Sequence, residues 1–431
     1  MKIKHRLWMI LPLLLLVSCS VISPTEEIVN TTEPIIPTST EVITEVAPLP
    51  PEETVTPGPT ILVIWVPPLL DPDENPQAGR ILLERLEEFS REYPGVEVRV
   101  RVKAESGPGG LIDSLTTART AAPLALPELV ALPYESMQAA ALKGLLHPYD
   151  DLSNIMADSD WYEYAQELAN LQNSIFGLPF MGDVQTLVFR PSTIEDPPLD
   201  WNTALQTTKI YAFPAADPQA IFTLSQYMAN GGDVQDSEGR PFIDQEKLSE
   251  VLSFYKSAEK AGVMPSTLTQ YQTSEQIWDA YKDGRMDMAV TNASLYLTET
   301  ITDTAIVPIV TPDGNPFSLA SGWVWALTTA TPEQREISAR LAEFLTESNF
   351  LAEWSEALGY LPPRPSSMGI WPGTISNVRL GKISISARLL PTQDILTSLG
   401  PALENATVAV LSGQDDPLAA AETAANSLAE P

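Results

Sequence analysis

Residues 61–102 read ILVIWVPPLLDPDENPQAGRILLERLEEFSREYPGVEVRVRV. Ile61-Leu62-Val63-Ile64-Trp65 is a short β-branched run closed by an aromatic, the pattern of a buried strand. Pro67 and Pro68 end it. Ile81, Leu82, Leu86, Phe89 and Tyr93 then recur at near-helical spacing, and Pro94-Gly95 stops the helix. Val96, Val98, Val100 and Val102 alternate with charged residues, the period of a half-exposed strand. Strand, helix and strand in this order predict the opening of a parallel α/β sheet, because parallel neighbours need a long crossover between them.

The pattern continues downstream. Residues 129–132 predict a third strand, with a helix from about 136 to 142 behind it. Residues 161–171 read as helix, and 176–180 and 186–189 as extended segments. Leu248, Val251, Leu252, Tyr255 and Ala258 form one helix face that stops at Gly262. Strands are expected at 286–291, 306–307 and 324–327, a helix around Ile337, Leu341, Phe344 and Leu345, and further helices from Leu396 to about Leu428. There is no internal repeat.

Composition narrows the function. The chain has 431 residues, 44% of them hydrophobic, enough for two or three domains at roughly 150 residues each. It carries 25 Lys+Arg against 56 Asp+Glu, a formal net charge of -31 at pH 7. Nucleic acid is excluded as a partner, since binding it needs a basic surface that displaces counterions. One Cys and two His allow no intrachain disulfide and no Cys- or His-rich metal site. No cofactor is expected.

The N-terminal region is built differently. Lys2, Lys4 and Arg6 precede an apolar run from Leu7 to Val17, too short for the ~20 residues of a membrane span. Residues 1–18 therefore read as a secretory signal. Leu16-Val17-Ser18-Cys19 resembles a bacterial lipobox, which implies lipid attachment at Cys19 and an anchor at the outer face of a membrane. The rest of residues 19–60 is rich in Pro, Thr and Glu, without Lys, Arg or aromatic residues, and reads as a disordered tether.

Several fragments, in order, resemble the family 1 extracellular solute-binding proteins, the sugar-type receptors of bacterial ABC importers. They are the opening strand ending in Trp65, Tyr93-Pro94-Gly95, Pro127-Glu128-Leu129-Val130 with Leu142-Lys143-Gly144, and Gly177-Leu178-Pro179 before Thr186-Leu187-Val188-Phe189. Ala229-Asn230-Gly231-Gly232, Asp283-Gly284-Arg285-Met286-Asp287, Gly322-Trp323 and Ala342-Glu343-Phe344-Leu345 follow in the same order. The resemblance covers nearly all of 61–428. It implies an α/β, two-lobed periplasmic-binding-protein-like fold of type II with the ligand cleft between discontinuous lobes. Residues 61–185 and 288–325 are expected in lobe 1, and 186–287 and 326–431 in lobe 2, with crossings near 183–190, 287–291 and 320–328. It further implies a monomeric receptor, not an enzyme, that captures a small solute such as a sugar or oligosaccharide for the membrane subunits of an ABC permease. Three positions depart from the family pattern: Phe189-Arg190 replaces a Tyr-Asn pair, and Leu132 and Ser294 stand where maltodextrin-type members carry stacking aromatics.

Seven residues are expected at the cleft, because loops at the carboxyl ends of strands face the crevice in open α/β sheets. Trp65 would stack on a sugar ring or pack between sheet and helix. Tyr134 and Glu135 would supply stacking and hydroxyl recognition or form an exposed loop pair. Asp183, at the first crossing, would accept from two hydroxyls or sit solvated at the hinge. Phe222 would form an opposing aromatic wall or pack in the core. Asn292 would bond a hydroxyl or make a turn. Trp323, in a loop after Gly322, would form a ligand wall, with Trp325 on the same strand face.

Other signals fail. Asp71, Asp73 and Asn75 open like a calcium loop, but Pro76 and Leu82 occupy the positions that need Gly and Glu. Gly107, Gly109 and Gly110 lack dinucleotide-loop spacing. Two alternatives remain, a surface carbohydrate-active enzyme and a sensor or adhesin that has left transport.

Overall fold

The computed structural model describes residues 59–299, 301–329 and 331–429. The expected signal, the lipidation site Cys19 and the tether up to residue 58 lie outside the described residues. Thr60, expected at the end of the tether, already begins a strand and pairs with Val96.

The first strand, β1 (Thr60–Val66), sends Leu62, Ile64 and Val66 to one face and Trp65 to the other. Helix α1 (Pro76–Glu92) starts where the Asn75 side chain accepts from the Ala78 N–H at 3.1 Å, and buries Ile81, Leu82, Leu86 and Phe89 against the first face. Tyr93 stacks on Phe89 at 4.5 Å. Strand β2 (Val96–Val102) runs parallel to β1, as does β3 (Leu129–Pro133) on the other side, with α2 (Leu111–Ala121) between them in sequence. Helix α3 (Tyr134–Leu142) follows without a loop, so Tyr134 and Glu135 are its first turn. Helix α4 (Glu163–Ala169) and the short hairpin β4 (Asn170–Leu171) and β5 (Ser174–Ile175) lead to β6 (Leu178–Phe189), twelve residues buried throughout.

Strand β6 belongs to two sheets in turn. After it come α5 (Trp201–Gln206), β7 (Tyr211–Ala212), α6 (Ile221–Ala229), α7 (Gln245–Lys260), α8 (Ser274–Lys282), β8 (Met288–Asn292), α9 (Ala293–Thr298) and β9 (Ala305–Val307). Then β10 (Ser318–Leu327) returns to the first sheet. Residues 178–184 of β6 pair with β10, whereas 185–189 pair with β8 and β9. Helices α10 (Pro332–Phe344), α11 (Ser348–Leu358), α12 (Pro365–Ile370) and α13 (Ile375–Ser386), strand β11 (Ala387–Leu389), and helices α14 (Gln393–Leu411) and α15 (Pro417–Ala429) complete the chain. The strand order is β2-β1-β3-β10-β6-β8-β7, with β11 on β10 and β9 on β6.

Packing shifts the expected lobe boundaries. Residues 288–325, expected in lobe 1, begin with β8 and β9, which hydrogen-bond to the second half of β6. Only β10 returns to β3. Residues 326–358, expected in lobe 2, bury Leu341, Phe350 and Trp354 in the same cluster as β1 and α1. The crossing expected near 287–291 is therefore absent. A later passage, through α12, α13 and β11, carries the chain to α14 and α15, which pack on α6 and α7 in lobe 2. Trp323, expected in a loop, lies inside β10 opposite Pro133 and Met181.

Candidate functional site

A cavity of about 290 Å³ opens where the halves of β6 meet. Asp183 and Gln185 of β6, Asn292 at the end of β8, and Leu319 and Ser321 of β10 form its floor. Pro214, Asp217, Gln219 and Ile221, ahead of and at the start of α6, and Gln272 to Glu275, at the start of α8, wall it from lobe 2; Leu390 closes one side. Wider depressions of about 760, 800 and 950 Å³ include no residue of β6, β8 or β10.

Local sequence explains the wall. The loop before α6 ends at Ala220, held in the left-handed region at φ 49°, and Asp217 secures it by accepting from the Gln219 and Ile221 N–H groups, each at 3.0 Å. Gly400 of α14 supports the loop from behind: a Cβ there would lie 2.5 Å from the Pro218 carbonyl oxygen and 2.9 Å from the Gln219 Cα. Thr273 caps α8, its hydroxyl accepting from the Gln276 N–H at 3.4 Å.

Asp183 holds the junction. Its Oδ1 accepts from the Val184 N–H at 2.9 Å and the Ser294 N–H at 3.0 Å, and its Oδ2 accepts from the Ser294 hydroxyl at 2.6 Å. Burial raises its carboxyl to about 6, against these donors, which pull it down. Next to it, Gly182 exchanges two backbone hydrogen bonds with Leu361 at 2.8 and 2.9 Å. A Cβ on Gly182 would sit 2.2 Å from the Tyr164 hydroxyl, which is buried without a hydrogen-bond partner. Burial, then the charges of Asp183 and Glu105, push Tyr360 up to about 12.

Of the seven expected residues, the structure brings Asp183 and Asn292 to the cavity. Asp183 is 8% exposed, and Val184 and Ser294 already fill both acceptor sites of Oδ1 and one of Oδ2, which leaves one site for a further donor. Phe222 is 1% exposed and packs on Phe213, Tyr211 and Tyr255, so the aromatic wall expected there is core. Trp65 is 4% exposed, with the Lys103 ammonium 4.9 Å from its ring centroid. Tyr134 is half-buried in the first turn of α3 and Glu135 is exposed beside it; neither lines the cavity. Trp323 is half-buried and packs, with Trp325, against the lobe 1 core. Leu132 is fully buried, and Ser294 serves Asp183. Sequence reasoning missed Gln185, Asp217, Gln272, Glu275 and Ser321. Only the helix-start pattern Thr273-Ser274-Glu275 carried a local signal for one of these segments.

The geometry is that of a binding cleft between two α/β lobes joined by shared strands. A family model described as bacterial extracellular solute-binding protein matches residues 84–369, and the chain belongs to that family. No curated protein sequence matches it. Among solved structures, the fold is similar to the cyclic alpha-maltosyl-1,6-maltose binding protein of Arthrobacter globiformis, with 14% identity and TM-score 0.71 over 86% of this chain and 98% of that one. It is also similar to the sugar-binding protein MalE of Xanthomonas citri, with 17% identity and TM-score 0.69 over 86% and 98%. A third is maltose-bound MalE3 of T. maritima, with 18% identity and TM-score 0.63 over 86% and 99%. Among the described residues, no helix is long and apolar enough to cross a membrane.

Proposed function

We propose that this chain is the capture subunit of an ABC importer, anchored through a lipid on Cys19 at the outer face of a membrane. It takes a small carbohydrate into the interlobe cavity and presents it, chemically unchanged, to the permease subunits. The observation that carries this reading is the cavity at the shared strand β6, walled by the amides of Gln185, Gln219, Gln272 and Asn292 and the hydroxyls of Thr273, Ser274 and Ser321. Such groups match sugar hydroxyls in both directions of hydrogen bonding. The similar structures point the same way, being those of proteins that bind maltose and related sugars. Among the described residues, no aromatic ring lines the cavity. Recognition here rests on hydrogen bonds, and a guest of one or two rings fits the volume better than a long maltodextrin, since small-molecule pockets begin at about 300 Å³.

Thermal unfolding of the purified chain against a panel of mono- and disaccharides tests the reading. A guest at 100 times its Kd stabilises by about 2.7 kcal/mol, a visible rise in Tm. Silence across the sugars with a response to peptides or polyamines would move the protein to another ligand class. Chromatography of the recovered guest should show no product; a cleaved guest would identify an enzyme. Cys19→Ala should abolish the acyl mass increment and release the protein from the membrane fraction.

A further inference from the structure

The cavity wall is charged in one sense only. Asp183, Asp217 and Glu275 line it, and among the described residues no Lys, Arg or His does. Asp217 is fixed by its two backbone donors, each oxygen keeping a lone pair for a further partner. Glu275 stands exposed in the first turn of α8. Burial holds the Asp217 carboxyl above its ordinary range, and the Glu275 charge pushes it the same way. Two neighbouring carboxylates in a concave wall leave a negative potential that a cationic guest would relieve.

A second feature, on another element, asks for a different group. Gln185 is 6% exposed and lines the cavity. Its Oε1 accepts from the Ser225 hydroxyl, while its amide Nε2 has no partner among the described residues. The side chain as a whole is nearly buried while this N–H remains accessible from the cavity, so an oxygen on the guest can accept from it. The guest therefore needs an ammonium on the lobe 2 side and an oxygen on the β6 side. With no aromatic ring in the wall, stacking on a neutral sugar face does not compete as the source of affinity.

We propose that the cleft selects an amine-bearing sugar, its protonated amine between Asp217 and Glu275 and one of its oxygens on the Gln185 amide. The proposal rests on the carbohydrate reading above and sharpens it to a chemical class.

Calorimetric titration of the purified chain with D-glucosamine, N-acetyl-D-glucosamine, D-glucose and spermidine, at low salt and a pH where the free amine is protonated, decides it. Glucosamine should bind about tenfold or more tighter than the two neutral sugars, as a charge-assisted hydrogen bond implies. Added salt should shrink the gap, and Glu275→Gln should remove most of it. Asp217→Asn should act alike; should it misfold through loss of its loop contacts, the exposed Glu275→Gln carries the test. Neutral sugars binding as tightly as glucosamine, or a preference that survives Glu275→Gln, would overturn the amine and leave the carbohydrate reading standing. Spermidine binding with no sugar bound, or no binding by any of the four, would overturn both.

Discussion

Asp183 shows how burial and hydrogen bonding compete over one carboxyl. Three donors hold its oxygens, yet burial leaves it at about 6, roughly two units above an unfolded aspartate. Its folded-state pKa is raised, so its contribution to stability is complete below about pH 4 and is lost as the pH rises to about 6. At two units that loss is about 3 kcal/mol. Asp183→Asn keeps the shape, and its amide can donate to the Ser294 hydroxyl. Denaturant titrations at pH 4 and pH 7 should show the variant gaining up to about 3 kcal/mol on wild type between the two; parallel curves would mean that the carboxyl does not titrate there. Ser294→Ala, by contrast, deprives Oδ2 of its donor and should cost about 1–3 kcal/mol at neutral pH. The Tyr164 hydroxyl is the opposite case, buried with no hydrogen-bond partner among the described residues. Tyr164→Phe should be neutral or stabilising by about 1 kcal/mol. It should also soften Gly182→Ala, whose new Cβ would meet that oxygen at 2.2 Å. A double-mutant cycle showing strict additivity would place the strain elsewhere.

At the scale of elements, the sequence carried what periodicity can carry. The β1–α1–β2 opening, β3, α7 and the late helices lie where apolar spacing put them, because each buries one stripe or one face. Lobe membership was less legible: β8 and β9 read as strands but not as partners of the second half of β6, since pairing is long-range and leaves no local mark. The placement of the aromatic candidates was illegible for a related reason. Trp65 and Phe222 fit a core or a ligand wall equally well by type, and the packing of neighbouring elements put both in cores. The cavity is lined instead by polar loop residues such as Gln272 and Asp217, which look like ordinary turns. One of those loops depends on a distant helix. Gly400→Ala in α14 would drive a Cβ into the backbone at Pro218 and Gln219. Backbone cannot rotate aside as a side chain can, so the expected loss is about 1–3 kcal/mol of stability, together with weaker guest binding as Asp217 and Gln219 shift. Calorimetry on the variant checks both, and unchanged affinity would show that the loop does not shape the site.

For the whole molecule, the passages between lobes set what motion is open to it. Two of them, β6 and β10, lie side by side with Gly182 facing Gly322 in register, and Asp183 and Ser321 beside them face the cavity. The lobe 1 stack of Phe180, Trp325 and Trp354 lies on one side of this paired segment, so backbone torsion there would turn one sheet against the other and leave that stack intact. A guest that contacts both β10 and the α8 start is held best when the two approach, so it favours the closed arrangement by its differential affinity. Small-angle scattering of the chain with saturating guest should then show a smaller radius of gyration than without it. A guest that binds tightly while the curve stays unchanged would mean that the cavity is rigid, and that capture occurs by fit to a preformed wall.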